Sequence, residues 1–88
     1  MEQIKISDIT IYVDEPMPAK SYYEWLKRDI KRHGLNKPVT VAKRSDGVIM
    51  LTGGYALLIA VGKLHTEGHV VLFNGVALEE GMIPVKYE

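Results

Sequence analysis

A glycine pair set between two apolar stretches, Thr52-Gly53-Gly54-Tyr55, is the first place in this chain to look for chemistry. A turn of this kind leaves backbone amides free at the start of the following helix, where the helix dipole favours an anion such as phosphate. Glycines also suit a strand that passes close to a helix, because they carry no side chain. The residue types leave both roles open, a weak phosphate site made by Thr52, Gly53, Gly54 and Tyr55 or a packing turn. The second feature is electrostatic. Eight of the eleven Lys and Arg residues fall between Lys20 and Arg44, against Glu24 and Asp29 only, although the net charge is zero. Within it Lys27, Arg28, Lys31, Arg32, Lys37, Lys43 and Arg44 are candidates for contact with a nucleic acid or an acidic partner, since cations beside phosphates release counterions. A solvated helix face has the same composition. Tyr22, Tyr23 and Trp25 fit either stacking on bases or burial in a core.

Other constellations carry less. His65-Thr66-Glu67-Gly68-His69 spaces two histidines by four, but Gly68 argues against a continuous helix, so the rings need not share a face and no metal site is expected. His33 suits the C-terminal end of a helix, where a partial positive charge meets the dipole. Ser7, Ser21 and Ser45 fall at a bend, a cap and a turn, and none forms a triad with His and Asp. The chain has no cysteine, which excludes disulfides, thiolate metal sites and cysteine catalysis.

The elements that position these residues follow from pattern. Ile4, Ile6, Ile9, Ile11 and Val13 predict one or two strands broken near Ser7-Asp8, then a loop over Asp14-Glu15-Pro16-Met17-Pro18. Ser21-Tyr22-Tyr23-Glu24 reads as a capping box opening a helix whose buried stripe is Tyr22, Trp25, Leu26 and Ile30, with Lys27, Arg28, Lys31 and Arg32 mostly opposite. Gly34 ends it, Leu35 folds back onto the last turn, and Pro38 bars continuation. Val39 to Ala42 and Val48 to Leu51 read as strands joined by a hairpin turn at Ser45-Asp46-Gly47, the second covered on both faces and central in its sheet. A second helix, apolar nearly all round, is expected from Thr52 or Gly53 to about Gly62. Val70 to Phe73 and Val76 to Leu78 form a hairpin about Asn74-Gly75, unless Val76 to Glu80 is a helical turn; the last strand is Ile83 to Tyr87, where Pro84 implies an edge or the first paired residue.

His33-Gly34-Leu35, Pro38-Val39-x-Val41, Asp46-Gly47, Gly53, Ala60 and the closing Ile83-Pro84-Val85 together resemble the N-terminal domain of the ParB partition proteins, a fold shared with sulfiredoxin. The resemblance spans most of the chain, although the stretch from His65 to Gly81 is longer than the pattern implies. It implies a small mixed α/β sheet with two main helices, in one domain over residues 1–88. The family's Gly-x-x-Arg motif reads Gly53-Gly54-Tyr55-Ala56 here, and Ile59 also departs from the pattern. In the family that arginine is associated with nucleotide phosphates, and alanine cannot grip them.

Composition agrees with a folded domain whose core is thin enough that a homodimer or a partner is expected. No stretch has the length of a membrane span, and the first residues lack a leader pattern, so the expected location is cytoplasmic. The reading is a non-enzymatic binding module of a DNA-associated system, such as plasmid partition, phage or mobile-element maintenance, needing no cofactor. These 88 residues hold no helix-turn-helix, so DNA contact is expected to be weak, salt-sensitive and sequence-tolerant. The alternative is a nucleotide-dependent enzyme, a CTPase or ATP-dependent phosphotransferase, using the glycine turn with Asp46 or Glu15 as the carboxylate. A third class is a pure assembly module, pairing through the second helix or a strand edge.

Overall fold

The computed structural model describes residues 2–11 and 18–88. Val13 and the segment Asp14-Glu15-Pro16-Met17, expected as strand end and loop, lie outside them. Strand β1 (Gln3–Lys5) leads through a single 3-10 turn (Ile6–Asp8) into β2 (Ile9–Thr10), so the break falls at Ser7-Asp8 as the pattern implies. Helix α1 (Lys20–His33) is followed by β3 (Val39–Lys43), β4 (Ile49–Gly53) and α2 (Tyr55–Thr66). A small hairpin of β5 (Leu72–Phe73) and β6 (Val76–Ala77) precedes β7 (Met82–Tyr87).

Five strands make one mixed sheet in the order β1-β7-β3-β4-β2. The β1/β7 and β3/β4 pairs are antiparallel, and the β7/β3 and β4/β2 pairs are parallel. Val39, Val41, Leu51, Ile83 and Val85 from the sheet meet Leu58, Val61 and Leu64 of α2 and Ile30 of α1 in one core. The fold class is therefore the expected one, a small mixed α/β sheet with two main helices. Among the described residues no helix is long and apolar enough to cross a membrane.

Local chemistry explains most boundaries. At the β3–β4 turn Gly47 takes φ 89°, its amide donates to the Arg44 carbonyl at 2.9 Å, and Asp46 Oδ1 accepts from the Val48 amide at 3.1 Å. Asn74 and Gly75, at φ 50° and 83°, form the two-residue turn of the second hairpin, so Val76 belongs to a strand and not to a helical turn. That hairpin occupies the long His65–Gly81 stretch and is tied to the core through Leu35, whose amide donates to the Leu72 carbonyl at 2.7 Å.

Several expectations are corrected. Helix α1 begins at Lys20, with Ala19 in the capping position and no side-chain cap, so Ser21 is already helical and forms no capping box. Helix α2 begins at Tyr55 and runs to Thr66; Thr52 and Gly53 belong to β4, and Gly62 lies inside the helix. Strand β4 is not central, because β3 takes that place, and its residues Ile49 and Met50 are only half-buried although β2 pairs with both. Val70 is exposed and precedes β5. Pro84 lies in an inner strand. It is tolerated there because the Val85 amide faces β1, donating to the Glu2 carbonyl at 2.8 Å, so the adjacent proline nitrogen faces β3 before that pairing begins at Val39 and Val85.

Candidate nucleic-acid interface

The rotation of α1 about its axis decides which of its charges reach solvent. Its buried residues are Tyr23, Lys27 and Ile30, with Leu26 partly covered, whereas Tyr22 and Trp25 are each 52% exposed. The inner stripe is thus turned by about one residue, roughly 100°, from the one that apolar spacing predicts. Two contacts with α2 set this rotation. The Lys63 ammonium lies 5.1 Å from the centroid of the Tyr23 ring, a cation–π contact. Four residues further along α1, Lys27 Nζ donates to Oε2 of Glu67, the residue that caps the C-terminal end of α2.

Lys27 therefore does not belong to the solvent-facing cations. It is 7% exposed, and its stem packs between the helices while its ammonium meets Glu67 and, at 3.6 Å, Glu24. The hydrogen bond to Glu67 holds the Lys27 pKa above its ordinary value against the opposing effect of burial, and Glu24 adds to the rise. The same bond lowers the Glu67 pKa, with Lys27, Lys31 and His69 contributing by charge. Lys31 reaches Glu67 at 4.0 Å, so this side of α1 is close to electrically balanced.

On the opposite side, Trp25, Arg28, Asp29, Arg32 and His33 follow one another at helical spacing and line an open hollow of about 320 Å³. Two guanidiniums face one carboxylate there. None of the ion pairs among the described residues engages Arg28 or Arg32. The face combines free planar cations, which grip phosphate oxygens, with a half-exposed indole that contributes little to the core.

The start of α2 is a different environment. Gly54 is left-handed, at φ 86° and ψ 31°, and a Cβ there would lie 3.0 Å from Val39 Cγ1. A Cβ on Gly53 would meet Thr40 Oγ1 at 2.5 Å. Strand packing and backbone conformation thus account for both glycines. The first-turn amides have no side-chain cap, and Gly54, Tyr55 and Ala56 border a hollow of about 590 Å³ with Tyr22, Leu26 and Lys37. Lys37 is the cation at this place, where the resemblance implies an arginine.

The remaining candidates are dispersed. Lys43 ends β3, and Arg44 is paired with Asp46 at 3.3 Å in the hairpin turn, so Asp46 serves that turn. Glu15 lies outside the described residues. His65 is buried at the end of α2 with Nε2 2.9 Å from the Met82 carbonyl oxygen, while His69 is exposed beyond the helix. Among the described residues no group of three His, Asp or Glu side chains is arranged to hold a metal. Sequence reasoning missed Glu67 as the partner of Lys27, forty positions away and without local signal. It also missed Asp29, although the spacing of 25, 28, 29, 32 and 33 was there to find the outer stripe.

No protein-family model matches the chain, and no curated protein matches it in sequence. In fold it is similar to the C-terminally truncated chromosome-partitioning protein ParB from Caulobacter crescentus, solved in complex with the centromeric parS site. The TM-score is 0.61 at 14% sequence identity, over 100% of this chain and 38% of that one. The fold is accordingly ParB-like, and this chain spans well under half the length of that neighbour.

Proposed function

We propose that this chain is a non-enzymatic binding module of a DNA-associated system, of the partition, phage or mobile-element kind, working in the cytoplasm. Its outer α1 face meets the nucleic acid. The observation that carries this reading is the placement of Arg28 and Arg32, which form no ion pair among the described residues, beside exposed Trp25 on one helix face. Support comes from the ParB-like fold, whose neighbour was solved on DNA. Arg28 and Arg32 take phosphates, Lys31 contributes more weakly because Glu67 holds part of its charge, and Lys27 stays inside. Nucleotide turnover at the start of α2 is the weaker reading, since packing against Val39 and Thr40 accounts for its glycines.

Fluorescence anisotropy of labelled DNA at low salt tests the proposal. Arg28→Glu with Arg32→Glu should remove binding, and each single Arg→Ala change should flatten the plot of log affinity against log salt by roughly 0.7–0.9. Binding that survives the double reversal unchanged would refute it.

A further inference from the structure

Resting on that reading of α1, we infer that the outer face takes single-stranded nucleic acid, seating an unpaired base on Trp25. The indole is 52% exposed on the face of α1 turned away from the core, and the hollow of about 320 Å³ opens beside it. In a duplex the flat faces of the bases are stacked on one another, so an indole finds only groove edges and backbone. An unpaired base presents its π-face, and stacking on an aromatic side chain is the main attraction that single-strand binders use.

The charges around the indole fit the same occupant. Arg28 and Arg32 stand one turn apart, about 6 Å along the helix axis, and line the same hollow as the indole, within reach of the phosphates that flank a stacked base. Asp29 lies between them in sequence and lines the same hollow. A carboxylate there repels phosphate, so a purely backbone-tracking surface would be better without it. Toward a base edge its chemistry is selective. It accepts from the exocyclic 4-amino group of cytosine, whereas unpaired thymine offers only its N3–H, flanked by two carbonyl oxygens that repel the carboxylate. The face therefore takes a single strand with cytosine preferred over thymine at the stacked position.

Trp25 is the one tryptophan in the chain, so its emission reports directly on this face. Titration with short oligo(dC), oligo(dT) and a mixed-sequence duplex should give quenching by the single strands, strongest with oligo(dC), and weaker or no quenching by the duplex. In anisotropy with labelled oligo(dC), Trp25→Ala should lose about tenfold in affinity or more, Trp25→Phe should recover most of it, and Asp29→Asn should narrow the gap between oligo(dC) and oligo(dT). Duplex binding as tight as single-strand binding, with Trp25→Ala unchanged, would overturn this inference and leave the nucleic-acid face standing. Absence of binding by either form at low salt would overturn both. An equal affinity for oligo(dC) and oligo(dT) in the unmodified chain would remove the role given to Asp29.

Discussion

The outer face of α1 and the start of α2 carry the two kinds of signal that invite a functional reading, and they differ in what their residues are needed for. At the start of α2, Gly54 is fixed by the fold, because its backbone is left-handed and a Cβ would press on Val39 at 3.0 Å, and a Cβ on Gly53 would force the Thr40 hydroxyl to move. On α1, Arg28 and Arg32 are held by no ion pair among the described residues and Trp25 is half exposed. Deleting the side chains of the α1 face should therefore cost binding, whereas altering the glycines should cost stability. A glycine motif becomes a weak indicator of ligand binding once packing explains it; guanidiniums that no described residue pairs, beside an exposed indole, have no such explanation.

Four measurements sharpen or break this contrast. The largest effect is expected from Arg28→Glu with Arg32→Glu, a loss of about hundredfold in DNA affinity at low salt, equivalent to ~2.8 kcal/mol. Its unfolding free energy from urea denaturation should change by no more than about 0.5 kcal/mol, as for surface changes generally. Gly54→Ala comes next. Placing a side chain at a left-handed position against Val39 should destabilise the fold by ~1–3 kcal/mol in urea denaturation, with DNA affinity per folded molecule unchanged. If Gly54→Ala weakens binding without unfolding, the two regions are not separable.

Glu67→Gln should lower stability by less, since its carboxylate is partly solvated, and should do so in a pH-dependent way. The Glu67 pKa is depressed from 4.5, so its contribution is present above that value and is lost as pH falls through the lowered one. The Lys27 pKa is raised from 10.5, so its contribution is present below that value and is lost as pH rises through the raised one. Urea midpoints measured across acid pH should thus converge for the two proteins as the solution becomes more acidic. The smallest effect on the fold is expected from Ala56→Arg, within about 0.5 kcal/mol. With Lys37 lining the same hollow, the added guanidinium should raise affinity for inorganic triphosphate several-fold in calorimetry while leaving DNA binding unaltered.

Much of the architecture is legible in the residues. The Asp46-Gly47 and Asn74-Gly75 turns, the exit at Gly34 and the apolar character of α2 are written in local composition, because each depends on neighbours within a few positions. The rotation of α1 is not. Tyr22 and Tyr23 are equivalent to any periodicity argument, and only the arrival of Lys63 and Glu67 from α2 selects the face that buries Tyr23 and Lys27. A lysine is assigned to solvent by default, and the default fails where a carboxylate distant in sequence meets it. The start of α2 is hidden for a similar reason, since β4 extends through Thr52 and Gly53 to pair with β3. For the candidate site, the cations were visible as a group, but their separation into an inner balanced set and an outer free pair required the packing of the two helices.

The placement of β7 between β1 and β3 has a bearing on how the chain is made. Met82–Tyr87 is synthesised after the other described strands, yet it joins β1 to the rest of the sheet. Until it clears the ribosome, β1 has no neighbour and one edge of β3 stays open, so the native sheet forms only after translation has passed residue 87.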